Sequence, residues 1–533
     1  MHGLRALRGA LSRGLHQHEA PEQREALNVT APTYDLGKLH GGLRLPGHKA
    51  ISTTAPIRDV PIPSQLVLPI TQHVGDPAQP VVGMGDRVLK GQVIAEPDGT
   101  LGAPVHASSS GKVIAIEPWP VSRRYGDKAP CIIIECDGED RAIENDSRWE
   151  DFLSLQPADL LLRILDGGIV GLGGAVFPTA QKLMQARTCK IETLILNGVE
   201  CEPYISCDDM LMRERAAEIL SGAQILMHAM QLNSCYIAVE SDKPEALHSL
   251  GDALAELGDE RLVLKQVPTI YPSGGEDQLV QLVTNREVPS GGLPTDVGCL
   301  VQNVGTAAAV HDWVIKHEPL ISRVTTVAGD GIANPMNVRA RIGTTIADVV
   351  KFTGGYAEQA DHLIIGGPMT GKSMSTDRVP LVKATNSILV VLKTSFQGRE
   401  LACIRCGDCA SVCPIQLLPQ QLFWYTCADN EVKLREFGLI DCIECGCCDL
   451  VCPSHIPLTA NFKIAKGRIQ ELADEKGRAE RARRRFEARN DRLEQERQDR
   501  EAELAQQKES AKRAGPAAIA EILKRKQKPR EDD

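Results

Sequence analysis

Residues 403–414 read CIRCGDCASVCP, and residues 442–453 read CIECGCCDLVCP. Each run is C-x2-C-x2-C-x3-C-P. Three closely spaced thiolates wrap one face of a cubane, and the fourth, ahead of a proline that turns the chain away, reaches the other cluster. The spacing therefore predicts two [4Fe–4S] clusters with crossed ligation. Cys403, Cys406, Cys409 and Cys452 hold one; Cys442, Cys445, Cys448 and Cys413 hold the other. Structural zinc fits poorly, since four-cysteine zinc sites use paired knuckles rather than this series repeated with its proline. Cys447, beside Cys448, leaves one ambiguity, and Cys427 in the linker is expected to be unligated. Two clusters clamped together form a short wire of one-electron carriers. Such a wire needs a terminal where two-electron chemistry is divided.

At 533 residues the chain exceeds a single core and implies about three or four domains. Its hydrophobic share of 42% is ordinary, and its net charge of −10 lacks the basic surface that a phosphate backbone requires. No nucleic-acid partner is expected. No window reaches the ~18 consecutive apolar residues of a membrane span. The N-terminus, MHGLRALRGALSRGLHQHE, is basic without the apolar core of a signal peptide, so no export is expected and the thiols belong to a reducing compartment. Within residues 1–37, Leu4, Leu7, Leu11 and Leu15 recur at helical spacing while Arg5, Arg8 and Arg13 lie off that stripe. A basic amphipathic helix fits an anionic headgroup layer or the groove of a membrane protein. A frayed terminus and an organellar transit peptide are the alternatives.

Residues 38–140 contain VGMGDRVLKGQVIAEPD and APVHASSSGKVIAIE, short strands and tight turns. The phrase Gly85–Gln92, followed by Ala-Pro and Ser-Gly-Lys-Val, resembles the flattened barrel-sandwich of biotinyl and lipoyl carriers. No lysine stands between Lys90 and Lys112 to hold a swinging cofactor, so a structural barrel is expected, with His106 packed or on the surface. Residues 150–320 alternate helical runs such as RERAAEILSGAQILMHAM with strands such as TLILNGV and CYIAVE, the pattern of an α/β domain with a largely parallel sheet. Residues 321–395, with TTVAGDGIANPMNVRARIGTTIADVVKFTGG, resemble a soluble-ligand-binding β-grasp module. Residues 396–463 carry the cysteine runs. Residues 464–533 are almost wholly charged, without an apolar stripe, and predict a solvated helix or a disordered tail.

The terminal of the wire is sought upstream. DGGIVGLGGAVFPTAQK, Asp166 to Lys182, is a glycine-rich turn whose backbone N–H groups can cradle a phosphate, with Lys182 to pair it. It is not the G-x-G-x-x-G dinucleotide fingerprint in its strand-turn-helix context. NGVECEPY from Asn197, YPSGGEDQL from Tyr271 and VQNVGT from Val301 add amides, carboxylates and backbone donors suited to a flavin ring, its ribityl chain and a nicotinamide. This set, followed by a cluster pair, reads as an electron-transfer flavoprotein.

From about Lys38 to Lys463, the glycine loop, the three phrases, the β-grasp and the eight cysteines resemble, in order, the RnfC family of the Rnf (also Rsx) electron transport complex. More distantly, Gly171 to Lys182 is similar to the loop of the respiratory complex I flavoprotein that binds FMN and NADH. The resemblance implies that Gly171, Gly173, Gly174 and Lys182 meet the FMN phosphate or ribityl chain. It implies that Asn197, Tyr271, Gly275, Glu276, Asn303 and Thr306 complete the flavin site. Phe177 would stack on the nicotinamide dinucleotide and Glu202 would hydrogen-bond it. The chain departs from the complex I pattern at Leu172, where the loop has arginine, at Val199, where it has an acidic residue, and at Gln302 and Gly305.

The fold expected is multidomain α/β: barrel-sandwich hybrid, complex I flavoprotein-like α/β domain, β-grasp, helical dicluster ferredoxin-like domain and charged C-terminal helix or tail. The function implied is hydride exchange between NAD(H) and a noncovalent FMN, with single electrons passed to or from the clusters. Membrane subunits of an Rnf-type complex would carry them toward or from ferredoxin, coupled to ion movement, with this chain peripheral on the cytoplasmic face of the bacterial inner membrane. A soluble cobalamin (corrinoid) reductase, similar in its flavin loop and cluster pair, and a non-enzymatic iron–sulfur scaffold are the alternatives.

Overall fold

Four strands make the central sheet, in the order Leu262–Val267, Cys235–Glu240, Thr193–Gly198, Cys299–Asn303. All neighbours are parallel. The computed structural model describes residues 36–513 apart from 100, 123–125, 145–150 and 393–398, with 515, 520, 521, 523 and 524 beyond. The expected N-terminal helix and the extreme C-terminus lie outside the described residues. Parallel strands need crossovers, and the sequence supplies amphipathic helices for them: Ala216–Met230 and Pro244–Leu257 among others. The first strand in sequence lies centrally, flanked by the second and the last. Strand order therefore reverses between Thr193–Gly198 and Cys299–Asn303.

The barrel-sandwich ahead of this sheet pairs Gln65–Pro69, Lys128–Cys136, Gly111–Pro120 and Arg87–Val88 in one antiparallel sheet and Gln79–Pro80, Val93–Glu96 and Val105–His106 in another. Alternation in CIIIE buries Ile132 and Ile134 on the main core, while Cys131 and Ile133 pack with Val67 and Val121 on the opposite face. Ser108, Ser109 and Ser110 are fully buried, and Asp140 and Asp137 accept from the last two hydroxyls at 2.9 and 2.6 Å. A buried turn there has no role as a swinging arm. His106 is packed: burial lowers its imidazole to about 3.

The β-grasp is a six-stranded sheet, ordered Arg58–Asp59, Met336–Arg341, Ser322–Ala328, Ser387–Leu392, Ala360–Ile365, Lys372–Met374. Helix Ile346–Phe352 follows Thr345, whose hydroxyl accepts from Asp348 N and caps it. Its edge strand is borrowed from before the barrel. One continuous hydrophobic core runs through barrel, α/β domain and β-grasp, so three units separate in sequence share one interior.

In the cysteine-rich domain the two runs fold alike. Arg405, Gly407 and Gln416 have φ of 55°, 90° and 55°; their counterparts Glu444, Gly446 and His455 have 58°, 79° and 53°. Non-glycine residues rarely adopt positive φ, so its recurrence at matched positions with unrelated side chains belongs to the backbone wrap rather than to any one residue. Helix Leu458–Arg513 follows. Lys463 onward forms a separate unit; it is mostly exposed and carries ion pairs one turn apart, such as Arg483–Glu487. Among the described residues no helix is long and apolar enough to cross a membrane.

Candidate functional site

A cavity of about 460 Å³ opens at the carboxyl ends of Thr193–Gly198 and the adjacent edge strand Cys299–Asn303. Asn197 and Asn303 stand there in register, one at the end of each strand. Open parallel sheets hold ligands at such a point, because the loops leaving the two strands diverge to opposite faces. Of the residues singled out above, Gly173, Asn197, Glu202, Tyr271, Gly275, Glu276 and Asn303 line the cavity. Gly171, Gly174, Phe177, Lys182 and Thr306 do not.

The asparagines brace the walls. Asn197 Nδ2 donates to Gly274 O at 2.9 Å, and its Oδ1 accepts from Val199 N. Asn303 caps helix Val304–Lys316 by accepting from Gly305 N at 2.8 Å, and its Nδ2 donates to Asp208 at 2.7 Å. A second helix, Glu276–Thr284, begins at the cavity, with Gly275, Glu276, Asp277 and Gln278 on the wall. The first turn of Glu276–Thr284 thus turns backbone donors toward the space, and Asn303, the cap of the other helix, stands on its wall. A Cβ at Gly275 would come within 2.3 Å of the movable Gln278 Oε1, whereas Gly174 holds φ of 107°, a conformation that favours glycine.

Lys182 and Glu276 meet: Nζ donates to Oε1 at 2.6 Å and to Val301 O at 2.8 Å. The lysine thereby neutralises an acid at the mouth of a helix N-terminus. Thr306 is fully buried, and its hydroxyl accepts from Leu172 N at 2.9 Å. It shapes the glycine loop rather than facing the cavity. Phe177 is half-buried and its carbonyl accepts from Gly171 N. Glu202 accepts from Met369 N, Thr370 N and the Thr370 hydroxyl, each at 2.8 Å. The β-grasp turn IGGPMTGK is therefore part of the site, and Thr370 and Asn386 line the cavity.

Other residues were not foreseen. Glu200, inside the quoted NGVECEPY, lines the cavity, and its carboxylate accepts from the backbone of Asp208 and Asp209. Burial raises its carboxyl, opposed by Lys49, whose Nζ donates to Glu200 O and, at 2.6 Å, to Ile205 O. Burial also raises Asp208, opposed first by Arg323. Gly41 and Gly42 form a strap: Gly42 N donates to Val412 O, and Leu43 pairs with Tyr271. A Cβ on Gly41 would lie 2.7 Å from Val412, and one on Gly42 would lie 2.8 Å from Tyr271 O. The available signals were the paired glycines of HGGLRLPG and the turn composition of IGGPMTGK, neither of which names a partner.

Cys413, Cys442, Cys445 and Cys448, the four thiols expected at one cluster, line a second, largely apolar cavity with Pro419, Leu422 and Phe462. Cys447 lines it too and is fully buried against Tyr271 and Met369. At the other set, burial raises the Cys409 thiol, and the neighbouring Cys406, Cys452 and Cys403 raise it further. The chain thus places Cys413 beside Cys442, Cys445 and Cys448, together with Cys447, and places Cys403, Cys406 and Cys452 near Cys409. Thiols gathered this way fit [4Fe–4S] clusters, and the first cavity fits a flavin mononucleotide in volume and in the helix N-terminus on its wall.

The two cavities share a wall. Ile443 and Cys445 line both. Tyr271, 4% exposed, donates its hydroxyl to Cys445 O at 2.7 Å. Burial, with Glu202 and the cysteines Cys445, Cys201 and Cys447 around it, pushes this phenol well above its ordinary range, so it stays a donor.

Residues 164–312 match the Nuo51 FMN-binding domain family, residues 37–139 the RnfC barrel sandwich hybrid domain, and residues 324–373 the SLBB domain. The chain is 48% identical over 465 residues to the RnfC-type component of an ion-translocating oxidoreductase complex of Pseudomonas aeruginosa, covering 87% of this chain and 60% of that one. It is 41% identical over 470 residues to the same-named protein of Haemophilus influenzae, covering 87% and 70%. It spans about 60% of the length of the Pseudomonas relative. A chain of an NAD+-reducing [NiFe]-hydrogenase aligns over 59% of this chain and 60% of its own, with a TM-score of 0.41 and 18% identity.

Proposed function

The chain belongs to the RnfC family of ion-translocating oxidoreductase complexes, and from that membership we propose that it is the NAD(H)-linked iron–sulfur flavoprotein of an Rnf-type ferredoxin:NAD+ oxidoreductase. It would sit peripherally on the cytoplasmic face of the inner membrane, docked on subunits that carry electrons to or from ferredoxin and couple them to ion movement.

When bound, FMN would exchange a hydride with NAD(H) and exchange electrons singly with the two [4Fe–4S] clusters. The residues hold and orient. Gly173 and Gly174 offer backbone donors, while Gly171 N is tied to the Phe177 carbonyl and holds the loop's shape. Lys182 cancels Glu276, so that an anion can approach the helix N-terminus. Asn197, Gly275 and Asn303 fix the crevice, and Thr306 fixes Leu172. Phe177 provides an aromatic face for the nicotinamide dinucleotide. A carboxylate has about four acceptor sites, and Glu202 uses three on the β-grasp turn, leaving one for a substrate hydroxyl.

One observation carries the reading: the flavin cavity and the cavity of Cys413, Cys442, Cys445 and Cys448 have Ile443 and Cys445 in common, tied by Tyr271. A wall one residue thick suits electron transfer and excludes water between the centres. Anaerobic purification followed by flavin and iron analysis tests it. The expected result is about one FMN and about eight irons per chain. A chain with the iron but unable to take up FMN would support a scaffold instead.

A further inference from the structure

A smaller cavity, about 70 Å³, lies against the glycine loop; Leu172, Asp208, Gly305 and Arg323 line it. Asp208 also lines the large cavity, so it forms a partition between the two. Arg323 belongs to the first main β-grasp strand, Ser322–Ala328, yet its side chain reaches into the α/β domain. It is 4% exposed, and its Nη2 donates to Leu172 O at 2.6 Å. Thr306 accepts from the N–H of the same residue. Leu172 is thus gripped at both ends of its backbone, between Gly171 and Gly173.

The guanidinium is more than a brace. Its Nε has no hydrogen-bond partner, and among the described residues it forms no ion pair. A buried guanidinium with one nitrogen unpaired is costly, and Asp208, on the partition, is the carboxylate that its field acts on. It is the foremost influence lowering the Asp208 carboxyl against burial, and it lowers the Cys207 thiol as well. A cation from the β-grasp thus reaches the carbonyl of Leu172 in the glycine loop of the α/β domain.

We propose that Arg323 is a positioning and specificity-determining residue: from the β-grasp it sets the glycine loop and supplies the positive charge that favours a phosphorylated flavin over an unphosphorylated one. This rests on the flavin reading of the large cavity. It gives the β-grasp a role in cofactor selection, and it explains why the first main strand of that module carries a fully enclosed arginine.

The test is the ratio of FMN to riboflavin affinity, measured by flavin fluorescence on flavin-stripped, cluster-containing full chain. The parent should bind FMN at least about tenfold more tightly than riboflavin, the scale of one charged hydrogen bond. Arg323→Gln should lower that ratio about tenfold by weakening FMN alone, and Arg323→Lys should restore most of it. Asp208→Asn, which removes the negative charge facing the guanidinium, should shift the ratio the other way, and it keeps the test open if Arg323→Gln does not fold. Parallel weakening of both flavins in Arg323→Gln, or a ratio untouched by Asp208→Asn, would overturn the assignment and leave Arg323 a brace. A parent that binds neither flavin would overturn the flavin reading itself, and the assignment with it.

Discussion

Replacing Tyr271 with phenylalanine removes one oxygen from the wall between the two cavities. The phenol donates to Cys445 O at 2.7 Å, and its side chain is shielded from solvent, so water cannot easily replace it. The ring remains and still packs on Met369 and Cys447, so no large cavity forms. The cost is then a hydrogen bond, about 1 kcal/mol net, rising to about 3 kcal/mol if the Cys445 carbonyl stays unpaired. By the relation of about 1.4 kcal/mol per factor of ten, local opening of the seam should become about 5- to 150-fold more frequent. Hydrogen exchange on the anaerobic holoprotein reads this directly. Protection should fall by that factor around Cys442–Cys448 and at the Gly41–Leu43 strap, which pairs with Tyr271, and stay unchanged in the distant barrel. FMN content should be retained. Unchanged protection around Cys445 would refute the role of this contact, and loss of FMN alone would make Tyr271 a flavin-holding residue rather than a tie between the centres.

Lys182→Met should weaken FMN binding about tenfold while leaving iron content intact, because Glu276 is released unneutralised at a helix N-terminus; equal affinity by fluorescence titration would contradict this. Cys413→Ala should lose the cluster beside Tyr271 and keep the other, lowering iron from about eight to about four per chain. Loss of the partner of Cys403, Cys406 and Cys409 instead would mean uncrossed ligation. Lys383, fully buried, ties the β-grasp to Pro104 O and Gly168 O, and burial lowers its amine from 10.5 to about 7. Between those values the unfolded chain holds a proton that the folded chain lacks, so this residue makes stability rise with pH from about 7 to about 10. Urea midpoints should show that rise in the parent and a flatter profile in Lys383→Met.

The nearness of Cys413 to Cys442, Cys445 and Cys448 was legible because cluster wrapping imposes fixed local spacing, and a spacing is visible in one sequence. The α/β domain was legible for a similar reason: TLILNGV and CYIAVE are buried strands between amphipathic helices, and parallel pairing follows. What stayed hidden was long-range. Nothing local to Arg323 says that it will meet Leu172, nor does Glu202 declare Thr370 as its partner. Nothing local to Gly41 and Gly42 names their partners either; their need for glycine comes from two other domains pressing on them. The shared interior of barrel, α/β domain and β-grasp was hidden likewise, since each had the composition of a free-standing unit.

The proposed function requires electrons to cross from the flavin cavity to the clusters through the Tyr271–Cys445 wall. Rapid mixing of the anaerobic, cluster-loaded full chain with NADH, followed at flavin and iron–sulfur wavelengths, tests that most directly. The expected result is bleaching of a stoichiometric FMN with the clusters following in the same molecules at a rate independent of protein concentration. Flavin that bleaches while the clusters stay oxidised, or clusters that bleach only at a rate rising with protein concentration, would contradict it.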